Sequence, residues 1–250
     1  KESFCFGGDY NPEQWISHKD TFEDDIRCFH RLGVNTVTLN VFSWAFLEPE
    51  EGKYDFSFLS SVIDRMGKEG ISVILATPSG AKPSWLAAKY PEVLRVTDDR
   101  RRMLFGERHN HCYTSPVYRE KTRLIDEHLS EVLGHNDTVI AWHISNEYGG
   151  ECHCPLCQEA FRGWLRQRYG SIEELNKRWN NAFWSHIYNS FDDIESPSPI
   201  GENKNPSLIL DWKRFVTYQT VDFMNAEIKA VREFSDLPVT TNMMYDYTGL

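Results

Sequence analysis

Apolar positions along the chain alternate between two periods. Phe4 to Gly8 reads as a short apolar strand ending in a glycine pair. Phe22, Ile26 and Phe29 then fall on one helical face, and Gly33 stands where a left-handed C-cap belongs. The β-branched run Val34–Phe42 predicts a second strand, and Leu59, Val62, Ile63 and Met66 a helix closed by Gly70. Ile71–Ala76 is a buried-type strand, Val117–Leu133 a helix, Thr138–Ser145 a fourth strand and Leu156–Tyr169 a fourth helix ended by Gly170. After an aromatic-rich connection, Trp212, Phe215, Val216, Gln219, Phe223 and Ala226 keep helical register, and Val239 to about Met243 predicts a fifth strand.

This order argues for parallel strands joined by crossover helices, in either a doubly wound sheet or a (β/α)8 barrel. No G-x-G-x-x-G follows the first strand, where Phe6-Gly7-Gly8-Asp9 stands, and no Walker motif occurs. Long loops follow the strands at Asp9–Asp20, Ser43–Phe58, Pro78–Ser115 and Glu147–Pro155, as they do on the catalytic face of a barrel. The expected fold class is therefore α/β, a (β/α)8 TIM barrel.

Composition narrows the partners. At 40% hydrophobic and 26% charged residues, the 250-residue chain is globular rather than disordered or fibrous. Lys and Arg total 27 against 37 Asp and Glu, and a net charge of −10 disfavours nucleic acid. Eight Trp, 11 Tyr and 15 Phe suit a deep core and equally a sugar cleft. The opening Lys1-Glu2-Ser3-Phe4-Cys5 has no basic n-region and no stretch approaches a membrane span, so a soluble, cytoplasmic protein is expected.

Two constellations carry candidate chemistry. The fourth strand runs into Asn146-Glu147-Tyr148-Gly149-Gly150, and at period 2 His143, Ser145 and Glu147 share one face. A strand-end Glu walled by aromatics favours its protonated form, as a general acid requires; the plainer reading is a helix cap or an Arg partner. Asn146 could offer its amide to a substrate hydroxyl. The second constellation is Cys152-His153-Cys154-Pro155-Leu156-Cys157, with Cys112 upstream. Four thiolates around Zn²⁺ make a closed, structural site, with His153 and His111 as substitute ligands; the plainer reading is unpaired cysteine. Cys5 and Cys28 look like small core residues. Arg100-Arg101-Arg102 reads as a solvated run, whereas Arg108, near Cys112, has the donors to grip sugar hydroxyls or orient a carboxylate. Trp44, Trp85 and Trp184 are candidate stacking platforms, although core or rim packing is the favoured reading of each.

Gly7-Gly8-Asp9-Tyr10-Asn11-Pro12-Glu13-Gln14-Trp15 resembles the opening signature of glycoside hydrolase family 42, the β-galactosidases. Thr38–Trp44, Leu47-Glu48-Pro49 and Gly52–Phe56 resemble its second strand and loop, and Ala141–Gly150 the segment holding its acid/base. The resemblance implies a retaining glycosidase releasing terminal β-D-galactose, with Glu147 as general acid/base and Asn146 on the sugar 2-hydroxyl. It further implies that Arg108 contacts the same subsite and Trp184 lines the galactose pocket. Cys112, Cys152, Cys154 and Cys157 match cysteines that bind zinc in many members. A (β/α)8 barrel followed by two smaller domains, usually a homotrimer, is implied as well. Ile16 stands where Pro is common, and Lys82 interrupts a usually small, Pro-rich stretch.

In that family the nucleophile Glu follows the seventh strand, whereas five strands are counted here before Thr248-Gly249-Leu250. Glu48 and Asp211 do not match the nucleophile segment. Residues 1–250 are therefore expected to be the N-terminal part of the barrel, inactive alone, with the nucleophile beyond the C-terminus. Rival readings are a related retaining glycosidase acting on β-glucosides or α-L-arabinopyranosides, a non-catalytic sugar-binding protein with half the site, and a zinc-dependent interaction or nucleic-acid module, which the net charge disfavours.

Overall fold

Parallel strands require crossovers long enough to hold a helix, and the chain supplies one between each pair. The computed structural model describes residues 4–243; 1–3 and 244–250, including the terminal residues on which the expected stop before a seventh strand rests, lie outside the described residues. One sheet contains β1 (Asp9–Tyr10), β2 (Thr36–Leu39), β3 (Ser72–Ala76), β4 (Val139–His143) and β5 (Val239–Thr240). Every pairing is parallel, and spatial order equals chain order. A doubly wound sheet reverses its order at a switch point. This one does not, so the strands are successive staves of a TIM-barrel wall, as expected.

The helices among the described residues are α1 (Lys19–Leu32), α2 (Trp44–Leu47), α3 (Ser57–Lys68), α4 (Ser84–Lys89), α5 (Pro116–Leu133), α6 (Pro155–Tyr169), α7 (Ile172–Trp179) and α8 (Pro206–Arg232). Helix α1 lays Phe22, Ile26 and Phe29 on the sheet, and ends at Gly33, whose φ of 73° lets its N–H reach the carbonyls of Phe29 and His30. Helix α3 buries Leu59, Val62, Ile63 and Met66. Pro at the first position and a side-chain cap from Ser115 and Asn205 start α5 and α8.

Two apolar clusters result. The larger lies between the sheet and α1, α3, α5 and the second half of α8, where Phe223 and Val231 join it. The smaller packs Phe161, Leu165, Leu175, Trp179, Trp212 and Phe215 around the four clustered cysteines. Helix α6, the expected fourth helix, thus belongs with α7 to an excursion, and α8 is the helix that returns to the wall against α5. Helix α7 was hidden in the aromatic-rich connection because its eight residues bury only Leu175 and Trp179, too few to display a period.

The N-terminal segment differs from expectation. Only Asp9–Tyr10 is strand, although the Phe6 and Gly8 carbonyls do accept bonds from Asn35, Thr36 and Thr38. Phe4 and Phe6 are exposed because this edge meets β2 on one side only among the described residues. Cys5 and Cys28 are exposed rather than core: Cys5 lies on that edge, and Cys28 follows Ile26 by two helical positions, which turns it to the far side of α1. No helix among the described residues is long and apolar enough to cross a membrane.

Candidate active site

The C-terminal ends of the strands converge on one mouth, and Glu147 stands there on the loop leaving β4. Strand alternation does not deliver it, as had been expected. The strand stops at His143, and Ser145 and Glu147 adopt φ of 51° and 47°, a left-handed backbone that costs a non-glycine residue about 1–2 kcal/mol. Hydrogen bonds hold that conformation. The Ser145 amide donates to Thr77 Oγ1 at 2.7 Å, the Ser79 hydroxyl to Ser145 Oγ at 2.8 Å, and the Glu147 amide to Asn242 Oδ1 at 3.0 Å. The site is therefore pinned from β3 on one side and from the residues after β5 on the other. Asn146 is buried beside the His143 ring, whose proton affinity burial pushes down.

Arg108 Nη1 approaches Glu147 Oε2 to 2.6 Å, so the structure brings these two expected site residues together. The approach is close but off the N–H axis: Glu147 Oε2 is buried without an aligned donor. Arg108 also rests 5.8 Å from the Phe42 ring centroid, between two left-handed residues, Glu107 and His109. Its loop is braced by Asn110, whose amide donates to the Leu104 carbonyl at 2.9 Å and the Gly106 carbonyl at 2.5 Å, while Lys82 Nζ bonds Asn110 Oδ1. Lys82 is thus a buried brace of the arginine loop.

Burial, reinforced by Arg95, pushes the Lys82 ammonium down to about 8 from 10.5. A base with a lowered folded value destabilises fully below that value, and the cost is relieved as pH rises from about 8 towards 10.5. The cost is on the order of 3 kcal/mol. The melting-temperature advantage of Lys82→Met over the parent protein should shrink from about pH 8 to about pH 10, whereas a difference flat with pH would contradict the lowered value.

Cys112, Cys152, Cys154 and Cys157 come together as expected, with all four sulfurs buried and within 4.8 Å of one another. Cys112 Sγ lies 3.6 Å from Cys154 Sγ and 3.4 Å from Cys157 Sγ. A tetrahedral ion with metal–sulfur bonds of about 2.3 Å sets its ligands about 3.8 Å apart, so the donor set fits zinc. The Val96 amide points at Cys152 Sγ at 3.4 Å and the Thr114 hydroxyl lies 3.0 Å from Cys157 Sγ, second-layer polar contacts of the kind that support thiolate. Neither candidate histidine takes part. His153 stacks on Trp212 and bonds Ser196 and Glu151, and His111 stacks on Tyr118.

Of the candidate platforms, Trp44 is core, donating to Glu48 Oε2 at 2.8 Å, and Trp85 donates to the Glu48 carbonyl. Trp184 is exposed, stacked on Phe183 and edge-on to His186, over a hollow of about 440 Å³ shared with Asn181 and Glu202. None of its ring contacts is with Glu147 or Arg108. The carboxylates set aside earlier are committed elsewhere. Glu48 also accepts from the Gly52 amide, and Asp211 accepts from Tyr169 and Trp179. The arginine run is not merely solvated: Arg100 bonds the Ser196 carbonyl, Arg101 pairs with Asp99, and Arg102 grips the Pro91 and Leu94 carbonyls.

Sequence reasoning missed Arg95, Asp126 and Glu227. Arg95 is buried, donating to the Gly149 carbonyl at 2.7 Å, and it occupies the space a side chain at Gly150 (φ 78°) would need, 1.7 Å from the missing Cβ. The signal was a charge inside the apolar run Val93-Leu94-Arg95-Val96. For Asp126 and Glu227 it was a carboxylate on the apolar stripe of a helix, beside Ile125 and Leu129, and between Phe223 and Ala230.

A family model for glycoside hydrolase family 42, described as Beta-galactosidase, matches residues 9–250. Beta-galactosidase BglY of Alicyclobacillus acidocaldarius is 54% identical over 250 residues, 100% of this chain and 36% of that protein. Beta-galactosidase GanA of Bacillus subtilis is 53% identical over 246 residues, 98% of this chain and 37% of that protein. The crystal structure of the cold-adapted beta-galactosidase from Rahnella sp. R3 superposes with a TM-score of 0.95 at 50% identity, covering 97% of this chain and 36% of that one. The chain spans little more than a third of the length of these relatives.

Proposed function

The chain belongs to the β-galactosidases of glycoside hydrolase family 42, and from that premise we propose that it is the acid/base-bearing part of a retaining glycosidase for terminal β-D-galactosides. The observation that carries the reading is Glu147 Oε2, buried at the barrel mouth without an aligned donor. A protonated Glu147 gives its proton to the glycosidic oxygen as the sugar departs, and the resulting carboxylate then takes a proton from the water that releases galactose. Arg108 beside it stabilises the carboxylate between these steps and offers its free donors to the sugar. Asn146 is assigned to the sugar 2-hydroxyl, and Trp184 to the pocket wall, as the resemblance implies.

A retaining mechanism needs a second carboxylate about 5–5.5 Å away as nucleophile. That group is assigned to a later strand of a completed eight-stranded barrel. The relatives' greater length and the sheet's two unpaired edges among the described residues support this.

Zinc at Cys112, Cys152, Cys154 and Cys157 is proposed as a structural ion: four sulfurs leave it no open position for substrate, and it fastens α6 to the loop carrying Cys112. A reducing, cytoplasmic setting fits six cysteines without a disulfide, two of them exposed. The homotrimer is carried by the resemblance alone.

Proton NMR of the full-length enzyme acting on an alkyl β-galactoside tests the assignment. β-Galactose should appear first and mutarotate afterwards. α-Galactose as first product, or binding without hydrolysis, overturns it.

A further inference from the structure

Two carboxylic acids lie fully inside the protein behind the Glu147 loop. Asp126 on α5 and Glu227 on α8 are 0% and 1% exposed. Glu227 is well supplied with donors: the Tyr148 hydroxyl reaches Oε2 at 2.5 Å and the Thr77 hydroxyl reaches Oε1 at 3.2 Å. Asp126 has no N–H or O–H donor on either oxygen. Two adjacent buried carboxyls cannot both be charged. The donors mark Glu227 as the carboxylate and Asp126 as the acid that keeps its proton and turns it towards Glu227. The proton affinities agree: burial drives the Asp126 carboxyl far up, and Glu227, also raised by burial, reaches only about 7.

The contacts of Glu227 fall on both sides of the acid/base. Tyr148 follows Glu147 directly. Thr77, while donating to Glu227, accepts the Ser145 amide at 2.7 Å, and Ser145 is one of the two residues held in left-handed backbone. Asn146 and Glu147 are therefore bracketed by a residue on each flank, and both flanks lead to one carboxylate. We propose that the Asp126–Glu227 pair is the positioning element of the acid/base loop, with Glu227 fixing Ser145 through Thr77 and Tyr148 directly. It acts through Thr77, Ser145 and Tyr148 and is placed in no contact with substrate. The inference rests on Glu147 as acid/base for its catalytic consequence, but the clamp itself is a statement about the loop.

Glu227→Gln tests it. An amide oxygen can accept one of the two hydroxyls, while its NH2 group turns to Asp126, so one flank is released. In the full-length enzyme, kcat/KM for an alkyl β-galactoside should fall about 10- to 30-fold, but no more than about 3-fold for a dinitrophenyl β-galactoside, whose departure needs no acid. Amide exchange in the peptide spanning 144–149 should accelerate about tenfold. Asp126→Leu should reproduce the effect and Asp126→Asn, which retains a donor, should recover most of it. Adding Tyr148→Phe to Glu227→Gln should cost less than the two separate losses combined, because both break one clamp. Equal losses on both substrates, strict additivity, or unchanged exchange in 144–149 overturns the proposal. Normal turnover in Glu147→Gln would instead sink the acid/base assignment, leaving the exchange measurement as an independent test of the clamp.

Discussion

Replacing Glu147 by Ala in the full-length enzyme should lower kcat/KM for an alkyl β-galactoside about 10³-fold, while kcat/KM for a dinitrophenyl β-galactoside stays within about tenfold. The first substrate expels an alkoxide unless the glycosidic oxygen is protonated as the bond breaks. The second leaves readily as a stabilised anion. The difference between them isolates the acid role, because a merely distorted pocket would slow both. With the activated substrate, loss of the same residue removes the base from the water step, so turnover should stall at the glycosyl-enzyme and recover with azide, which attacks without deprotonation. Arg108→Ala is a useful companion. It removes the only cation that approaches Glu147 Oε2 among the described residues and should raise KM and lower kcat without abolishing the leaving-group contrast. Loss of activity on both substrates alike in Glu147→Ala would remove the residue from the role.

Chelation should release one zinc per chain and lower the melting temperature by several degrees, with Cys154→Ser showing the same loss without chelator. The four sulfurs lie inside the smaller cluster with Phe161, Phe215 and Trp212, so releasing the ion leaves four sulfurs without their shared partner in apolar surroundings. Hydrogen bonding from Cys112, Cys152 and Cys157 holds the Cys154 thiol well below its ordinary value, while hydrogen bonding to their neighbours and burial push Cys112 and Cys157 up, so loss of the ion should be accompanied by uptake of protons. The cost is about 3–5 kcal/mol, less than a zinc-finger peptide loses because this cluster keeps its apolar packing. Damage should start in α6 and the loop before it, visible as faster amide exchange there ahead of the barrel strands. Purified protein without bound metal, or a melting curve indifferent to chelation, would return the cysteines to plain core packing.

The barrel was readable because its strands and main helices repeat a simple burial geometry. Phe22, Ile26 and Phe29 face one way, and so do Leu59, Val62, Ile63 and Met66, and such stripes survive any detail of the loops. Glu147, Arg108 and the four cysteines were readable because each lies in or beside a dense local motif. What escaped depended on partners far along the chain. Asp126 and Glu227 are a hundred residues apart, and neither has meaning until α5 meets α8. The alternation that placed Glu147 beside His143 and Ser145 failed for a related reason. Strand geometry gives way after β4 to left-handed residues that are stable only because Thr77 and Asn242 wait for their amides. Cys28 misled because it lies between Ile26 and Phe29 on a helix, while its own helical position faces outward.

Arg95 stands between the two constellations. Its guanidinium holds the Gly149 carbonyl just after the acid/base loop, and the amide of the next residue, Val96, points at Cys152 Sγ. With zinc and galactoside bound as proposed, the two sites would rest on opposite ends of one short strut. Linkage makes any such dependence mutual: the factor by which zinc changes galactoside affinity is the factor by which galactoside changes zinc affinity. Competition for the ion by a chelator, with and without galactose present, should therefore read out that shared strut directly.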